Sequence, residues 1–244
     1  MADRFDTRFG APSPATDYGR EAAGYDAGLR KHMLSVYNYM ASGVLLTGVV
    51  ALLFARSGYA FDIMVGPGIL KYLIMFAPLA FVLVMSFGIN KLSTGAAQAL
   101  YWAFAVVMGL SMSTIFLVFT GASIATTFFA TSAAFVSLSL WGYTTKKDLS
   151  AMGTFLIMGV FGLIFAMIIN LFMQSAAMMY AISAIGVLIF AGLTAYDTQR
   201  IKSVYFQVAN SDFIGKAAIM GALQLYLDFI NMFMFLLQFM GDRR

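Results

Sequence analysis

The sequence predicts an all-α integral membrane protein with seven transmembrane helices. Of its 244 residues, 61% are hydrophobic and only 11% are charged, whereas a soluble domain carries about 25% charged residues. The apolar residues form seven runs of about 20 residues, which is the length that crosses a hydrocarbon core of about 30 Å as a helix. The runs cover approximately residues 33–55, 69–89, 97–119, 122–142, 152–173, 178–200 and 217–240.

Short polar segments separate these runs. Residues 66–68 (Gly-Pro-Gly) precede the second run, residues 120–121 (Thr-Gly) separate the third from the fourth, and residues 142–148 separate the fourth from the fifth. Residues 1–31 precede the first run and are rich in Ala, Gly, Asp and Arg, a composition typical of a disordered segment. We therefore expect a disordered cytoplasmic tail over 1–31 and one seven-helix membrane domain over 32–241.

The basic residues predict the orientation of the chain. With the amino terminus inside, the inner segments hold eleven of the fifteen Lys and Arg residues and the outer segments hold four. Because basic residues favour the cytoplasmic side, this split predicts a cytoplasmic amino terminus and an external carboxyl terminus. Arg243 and Arg244 oppose this orientation, and a last helix that did not cross fully would leave both ends inside.

Several classes of protein are excluded by the composition. The chain has no cysteine and one histidine, His32, before the first apolar run, which excludes disulfides, thiolate metal sites and multi-histidine metal sites. Nucleotide-binding, zinc-protease and serine-hydrolase motifs are missing, and the last run has no lysine for a retinal Schiff base. The motifs of an intramembrane aspartyl protease are half matched, at Tyr196-Asp197. We expect a protein without enzymatic activity and without a cofactor.

The last apolar run, Ala217 to Met240, carries a carboxylate in its middle. Asp228 is unfavourable in a bilayer by at least a few kcal/mol if it stays charged and unpaired. The polar residues of this run share one helical face. They are Gln224, Asp228, Asn231 and Gln238. A helix of this kind turns its polar face towards protein or water rather than lipid.

Asp197 is the one other carboxylate within an apolar run, near the inner end of the sixth. If that helix continues to Tyr205, Asp197 lies about 12 Å from its end and Asp228 about 17 Å along the seventh helix, so the two meet at similar depth. Thr194 and Gln224 each lie one turn before a carboxylate. Two carboxyl groups in a site of low dielectric share a proton and titrate as a pair, which predicts a proton sensor.

Structural explanations remain open for the same residues. Asp228 as a hydrogen-bonded carboxyl would only fix helix packing, and Asp197 would lie at the membrane interface beside Arg200 and Lys202. Asn170 in the fifth run supports either a pore lining or an interhelical hydrogen bond, and we favour the hydrogen bond. The eighteen Met residues are typical of packing in apolar runs rather than of a metal site.

Four segments of the sequence resemble the Bax inhibitor-1 family of multi-pass membrane proteins. The segments GLTAYDTQRIK (192–202) and ALQLYLDFINMFMFLLQ (222–238) are similar to its two signatures. The segments 120–135 and 139–153 are similar to its bacterial branch. The resemblance covers nearly all of residues 30–240.

This resemblance implies a fold and a function. The fold consists of two three-helix layers around a central carboxyl-terminal helix, in a bacterial inner membrane. The function is a pH-regulated calcium leak with a sensor formed by two aspartates, at the positions of Asp197 and Asp228, where calcium binds transiently. The family's arginine partner for the first aspartate has no match in the second span, and Lys91 is the nearest basic residue.

Two other functions stay open at this level. A bacterial branch of the family is associated with restraint of a membrane-bound AAA protease, which implies an interaction protein with the amino-terminal tail as its contact. A proton-coupled transporter is a third alternative, although no residue identifies a substrate.

Overall fold

The computed structural model describes the backbone of residues 14–244 and the side chains of residues 27–64 and 66–244. This part of the chain forms nine helices and no β-strand. The helices are α1 (Pro14–Arg56), α2 (Tyr59–Val65), α3 (Leu70–Gly88), α4 (Thr94–Met112), α5 (Ile115–Val118), α6 (Gly121–Thr144), α7 (Ser150–Met173), α8 (Ala176–Val208) and α9 (Ile214–Met240).

Seven segments are long and apolar enough to cross a membrane, which confirms the predicted fold class. The third span consists of α4 and α5 together, because the helix breaks at Ser113 and Thr114. The Ser113 hydroxyl there donates to the carbonyl of Leu110 at 2.7 Å. The sixth span, α8, continues as helix to Val208, beyond the predicted end of the run at residue 200.

The first helix begins much earlier than the sequence predicted. Helix α1 starts at Pro14, so residues 14–31 are helical rather than part of a disordered tail. Proline is favoured at the first helical position because its φ angle is already helical, and the Ala, Glu and Arg residues that follow are good helix formers. Extending an existing transmembrane helix also needs no new nucleus. Residues 1–13 of the predicted tail lie outside the described residues.

The spans form two layers around α9. In one layer α4 packs against α1 and α3, and in the other α8 packs against α6 and α7. Helix α9 contacts α1, α4, α6 and α8. Of the 18 most apolar consecutive residues of α9, 67% are buried, whereas the corresponding share in the other spans is 11–39%. The implied architecture of two layers around a central carboxyl-terminal helix is therefore confirmed.

The two ends of the bundle are distinguished by the chain termini. The amino-terminal end holds the start of the first span and the loops before α7 and α9. At the opposite, carboxyl-terminal end, the Thr120 N–H donates to the carbonyl of Asp242 at 3.0 Å and the Arg244 N–H donates to the carbonyl of Val118 at 2.9 Å. Helix α9 therefore crosses the whole bundle, and the last residues do not return to the amino-terminal end.

Candidate functional site

The structure brings Asp197 and Asp228 together inside the bundle. Asp197 lies about 17 Å from the end of α8 and Asp228 about 21 Å from the start of α9, so their depths match as the sequence predicted. Both side chains are 4% exposed, and the two carboxyl groups lie within hydrogen-bonding reach of each other. The close packing of α8 on α9 fixes this pair, which we call the aspartate pair.

The two carboxyl groups have different surroundings. Asp197 Oδ1 accepts a hydrogen bond of 2.7 Å from the side-chain amide of Gln224, and the positive charge of Arg200 acts on the same carboxyl. Asp228 Oδ2 is buried and has no hydrogen-bond partner in the protein. A donor and a nearby cation favour the ionised form of a carboxyl, whereas an unpartnered buried oxygen disfavours it. The geometry therefore suits a proton carried by Asp228 and shared with Asp197.

A cavity of about 370 Å³ extends from the amino-terminal end to Gln224, the residue that donates a hydrogen bond to Asp197. Gln224 and Arg200 form part of its wall, and Phe213, in the loop before α9, lies at its other limit. Ser86 contributes a hydroxyl from α3. These polar side chains form part of the wall between the loop and Gln224, and the remaining lining residues are mostly apolar.

His32 also lines this cavity. The sequence placed it ahead of the first apolar run, but it lies within the first span, Ala27–Arg56, and is 5% exposed. Its ring packs on Tyr205 with centroids 5.4 Å apart, and its Nε2 atom has no hydrogen-bond partner. The sequence did not predict that His32 is buried, because its burial depends on how α1 is rotated against α8.

Beyond Asp228 the interior is filled by apolar side chains. Phe235 stacks on Phe190 with centroids 5.8 Å apart and planes at 25°. A Cβ atom on Gly186 would lie 2.6 Å from the Phe235 ring, so only glycine allows this approach. Phe229 packs edge to face against Phe135 at 5.6 Å. These four aromatic side chains lie on the carboxyl-terminal side of the aspartate pair, and we call them the aromatic seal.

The other predicted polar residues take different places. The Thr194 hydroxyl donates to the carbonyl of Phe190 at 2.8 Å, on its own helix. The Asn231 amide likewise donates to Leu227 at 2.8 Å. Neither side chain forms a hydrogen bond with the aspartate pair. A single turn of spacing predicts a shared helical face but not whether a side chain bonds its own backbone.

Asn170 lies away from the aspartate pair. Its side-chain oxygen accepts from the Ser175 N–H at 3.0 Å and so holds the turn between α7 and α8, where Gln174 adopts a left-handed conformation with φ 50°. The interhelical hydrogen bond that the sequence favoured is therefore a local cap. Gln238 accepts from the Ser183 hydroxyl at 3.4 Å, which joins α9 to α8 near the carboxyl-terminal end.

The cation near Asp197 comes from its own helix. Arg200 acts on Asp197 from the next turn of α8, whereas Lys91 is exposed in the loop after α3. A basic partner in the second span, as the resemblance implied, is replaced by a residue of α8. The sequence contained the signal in the spacing of Asp197 and Arg200, which allows contact along one helix.

Sequence reasoning missed a chain of hydroxyl groups beside the pair. Tyr37 of α1 bonds to Ser139 of α6 at 2.7 Å, and Ser139 bonds to Thr198 of α8 at 2.8 Å. Thr198 follows Asp197 directly in the chain. Single Ser, Thr and Tyr residues are common in apolar spans, so nothing in the sequence marked these three as a group.

A second hydroxyl contact joins α1 to the central helix. Thr47 donates to the carbonyl of Ala105 at 2.8 Å and lies 2.7 Å from the hydroxyl of Tyr226. Tyr226 is fully buried and lies two residues before Asp228. This contact fixes the rotation of α9 about its axis relative to the first layer, and so fixes the direction of its polar face.

Comparison with known proteins identifies the family. The family model described as Inhibitor of apoptosis-promoting Bax1 matches residues 29–244. The chain belongs to the Bax inhibitor-1 family. The match includes both members of the aspartate pair and all seven transmembrane spans except the first two residues of the first span.

Curated relatives agree with this assignment over most of their length. An uncharacterised protein of Rickettsia prowazekii is 46% identical over 220 residues, which cover 90% of this chain and 93% of the relative. An uncharacterised protein of Caulobacter vibrioides is 45% identical, with coverage of 90% and 91%. The inner membrane protein YbhL of Escherichia coli K12 is 43% identical, with coverage of 89% and 94%. The Bax inhibitor-1 assignment and the seven apolar helices make this chain a multi-pass membrane protein.

Proposed function

We propose that this member of the Bax inhibitor-1 family is a pH-sensitive calcium leak controlled by the aspartate pair. The observation that supports it most is the juxtaposition of two buried carboxyl groups, one of which has an oxygen without a partner. A cavity leads to Gln224, which bonds Asp197, and the aromatic seal lies beyond the pair. The calcium selectivity itself rests on the family resemblance.

The proton holds α8 and α9 together at the pair. When Asp228 is protonated, its hydroxyl donates to the Asp197 carboxylate and the two helices stay in contact. When the proton leaves, two negative charges face each other in a site of low dielectric, where their repulsion is strong. The repulsion favours separation of α8 from α9 at this level, which couples the pH to the packing around the seal.

The deprotonated pair provides ligands for a cation. Calcium takes six to eight oxygen ligands, and within the described residues no group of three or more His, Cys, Asp or Glu side chains lies together. Two carboxylates therefore need carbonyl, amide or water oxygens to complete the shell, and Gln224 is the nearest amide. An incomplete protein shell binds weakly, and weak binding suits transit.

The test is calcium flux into proteoliposomes that contain the purified full-length chain, measured across pH. We expect the wild-type flux to change with pH and Asp228→Asn to lose this dependence, because an amide cannot release a proton. Asp62→Asn, in the short helix α2 outside the seven spans, is the control and should keep the wild-type profile. A wild-type pH profile in Asp228→Asn would contradict the proposal, and so would an equal loss in the control.

We also propose that the chain lies in the bacterial inner membrane with its amino terminus in the cytoplasm. The name of the Escherichia coli relative supports the membrane, and the basic residues at the amino-terminal end support the orientation. Labelling of single cysteines at Ser57 and Ser211, at opposite ends of the bundle, tests it in intact cells. A membrane-impermeant reagent should react with position 57 and not with position 211.

A second candidate function is regulation of a membrane-bound AAA protease. Helix α1 has 43 residues and is about 65 Å long, about twice the thickness of the hydrocarbon core. Its first turns therefore extend beyond the membrane and offer a contact surface. Deletion of residues 1–26 should leave calcium flux intact but remove copurification with the protease. Copurification that survives the deletion would contradict this candidate.

A further inference from the structure

A long apolar groove lies between α1 and α6, on the face of the bundle away from α3 and α7. Its volume is about 800 Å³, and along α1 it runs from Arg30 to Leu45, about 22 Å. Most of its walls are large apolar side chains. They include Met33, Met40, Val44, Phe128, Phe135 and Val136. The groove is longer than the half-thickness of a hydrocarbon core of about 30 Å, so it accommodates an extended acyl chain.

The end of the groove is basic. Arg30 lines the groove and also a second hollow of about 680 Å³ on the other side of α1, which Lys31 lines as well. Lys202 lies beside the mouth, where its ammonium donates to the carbonyl of Tyr143 at 3.0 Å. Among the described residues that line the two hollows there is no Asp or Glu. Within the part of the chain whose side chains the structure describes, the mouth therefore offers positive charge without an adjoining carboxylate.

This combination fits an anionic phospholipid. We propose that the groove binds one acyl chain of an anionic phospholipid whose phosphate group contacts Arg30. A guanidinium group binds phosphate oxygens with two parallel hydrogen bonds, and basic residues at the membrane surface attract anionic lipids. A partner helix fits less well, because helices associate in membranes mainly through small residues, whereas most of these walls consist of large apolar and aromatic side chains.

The bound chain contacts residues that adjoin both members of the aspartate pair. Phe229 forms part of the groove and follows Asp228 in α9. Tyr37 and Ser139 also line the groove, and their hydroxyl groups connect to Thr198, beside Asp197. The acyl chain therefore supports the packing of α1, α6 and α9 around the pair. An effect of the bound lipid on calcium flux rests on the proposed function, whereas the binding of the lipid does not.

The binding test is native mass spectrometry of the full-length chain in detergent, with phosphatidylglycerol and phosphatidylcholine of identical acyl chains added in turn. We expect the wild type to retain phosphatidylglycerol about tenfold more tightly, on the scale of one hydrogen bond to a charged group. Arg30→Gln should remove this preference. Arg56→Gln, at the other end of the same helix, is the control and should keep it.

A second variant tests the groove rather than the charge. Ala41 lines the groove and is exposed, so Ala41→Phe fills the groove without disturbing the core and should weaken both lipids. Equal retention of the two lipids by the wild type, or equal behaviour of Arg30→Gln and Arg56→Gln, would overturn the proposal. Loss of headgroup preference without any effect of Ala41→Phe would indicate surface attraction alone and would also overturn it. A change of oligomeric state in Ala41→Phe would assign the groove to a second copy of the chain instead.

The outcomes for the lipid and for the leak are separable. If Asp228→Asn loses the pH response while lipid retention is unchanged in Arg30→Gln, the lipid site is wrong and the leak stands. If the lipid results hold while Asp228→Asn keeps its pH response, the lipid site stands and the aspartate sensor is wrong.

Discussion

The two halves of α9 differ in what they present to the rest of the bundle. The first half, residues 214–228, turns Gln224 and Asp228 towards Asp197, and Gln224 also lines the cavity. The second half, residues 229–240, packs Phe235 against Phe190 and fills the interior. In the proposed leak, one helix therefore carries both the proton-binding residues and the barrier. A cation that reached the aspartate pair would still have to pass the second half.

The two halves differ in the kind of side chain that they bury and in how those side chains are packed or hydrogen-bonded. In the first half, buried polar groups are retained at a cost in free energy, and Asp228 Oδ2 stays without a protein partner. In the second half, aromatic rings meet at favourable edge-to-face or stacked geometry. The unsatisfied carboxyl oxygen of Asp228 occurs in the first half only, and an ionisable residue of this kind within a membrane span favours a functional role there.

The largest effect is expected where the second half is opened. Phe235→Ala removes a side chain that is 7% exposed, and we expect it to raise calcium flux at every pH. Loss of a buried phenylalanine also lowers the free energy of unfolding by about 3–5 kcal/mol. Flux assays and denaturation in detergent measure the two effects separately.

Phe239→Ala is the matched control for the seal. Phe239 lies one turn further along α9 and is 48% exposed, so its removal should change neither flux nor stability appreciably. If Phe235→Ala behaved like Phe239→Ala, the barrier would lie elsewhere and the contrast between the halves would fail.

A smaller effect is expected from the amide that bonds Asp197. Gln224→Leu removes a donor to a buried carboxylate, an interaction that contributes about 1.5–3 kcal/mol. Because this hydrogen bond favours the ionised form of Asp197, its loss strengthens the hold of Asp197 on the shared proton and should move the midpoint of the pH profile of flux to higher pH, by at most about one to two units. Gln238→Leu makes the same change in the second half of α9. An equal shift in both variants would show that the loss of any polar side chain from α9 has this effect, and that the hydrogen bond to Asp197 is not its cause.

The smallest effect is expected at an acidic residue outside the bundle. Asp148 is fully exposed before α7, and hydrogen bonds from the Ser150 hydroxyl and then its backbone N–H hold the pKa of Asp148 below its ordinary value of 3.8. A lowered folded-state pKa contributes stability above the unfolded value, and this is lost as pH falls through the folded value. The window lies below pH 3.8, so Asp148→Asn should leave the flux profile near neutral pH unchanged. A shifted profile would show that the aspartate pair is not the sole sensor.

The sequence predicted the fold and the pair because both depend on strong signals. Seven apolar runs without interruption specify seven spans, and a carboxylate is so unfavourable in lipid that Asp197 and Asp228 were the only candidates. Similar depth followed from the helical rise alone. The calcium hypothesis came from the family resemblance and not from these signals.

Other parts of the site depend on how the helices rotate against one another. The Tyr37–Ser139–Thr198 chain and the burial of His32 join residues far apart in the sequence. Hydroxyl groups carry little hydrophobic signal, and a side chain such as Asn231 chooses its own backbone over a neighbour. Close approach of α6 to α8 also depends on Gly142, where a Cβ atom would collide with the backbone of Ala195. These contacts become visible only in three dimensions.

The central claim is that Asp228 carries a proton shared with Asp197, and infrared spectroscopy measures it most directly. In the wild type we expect the C=O stretch of a protonated carboxyl, which disappears over the pH range in which calcium flux changes. Asp228→Asn should lack this band. Asp197→Asn should retain it, because Asp228 stays buried without its ionised partner. A band that persists in Asp228→Asn, or that does not follow the flux in the wild type, would contradict the account.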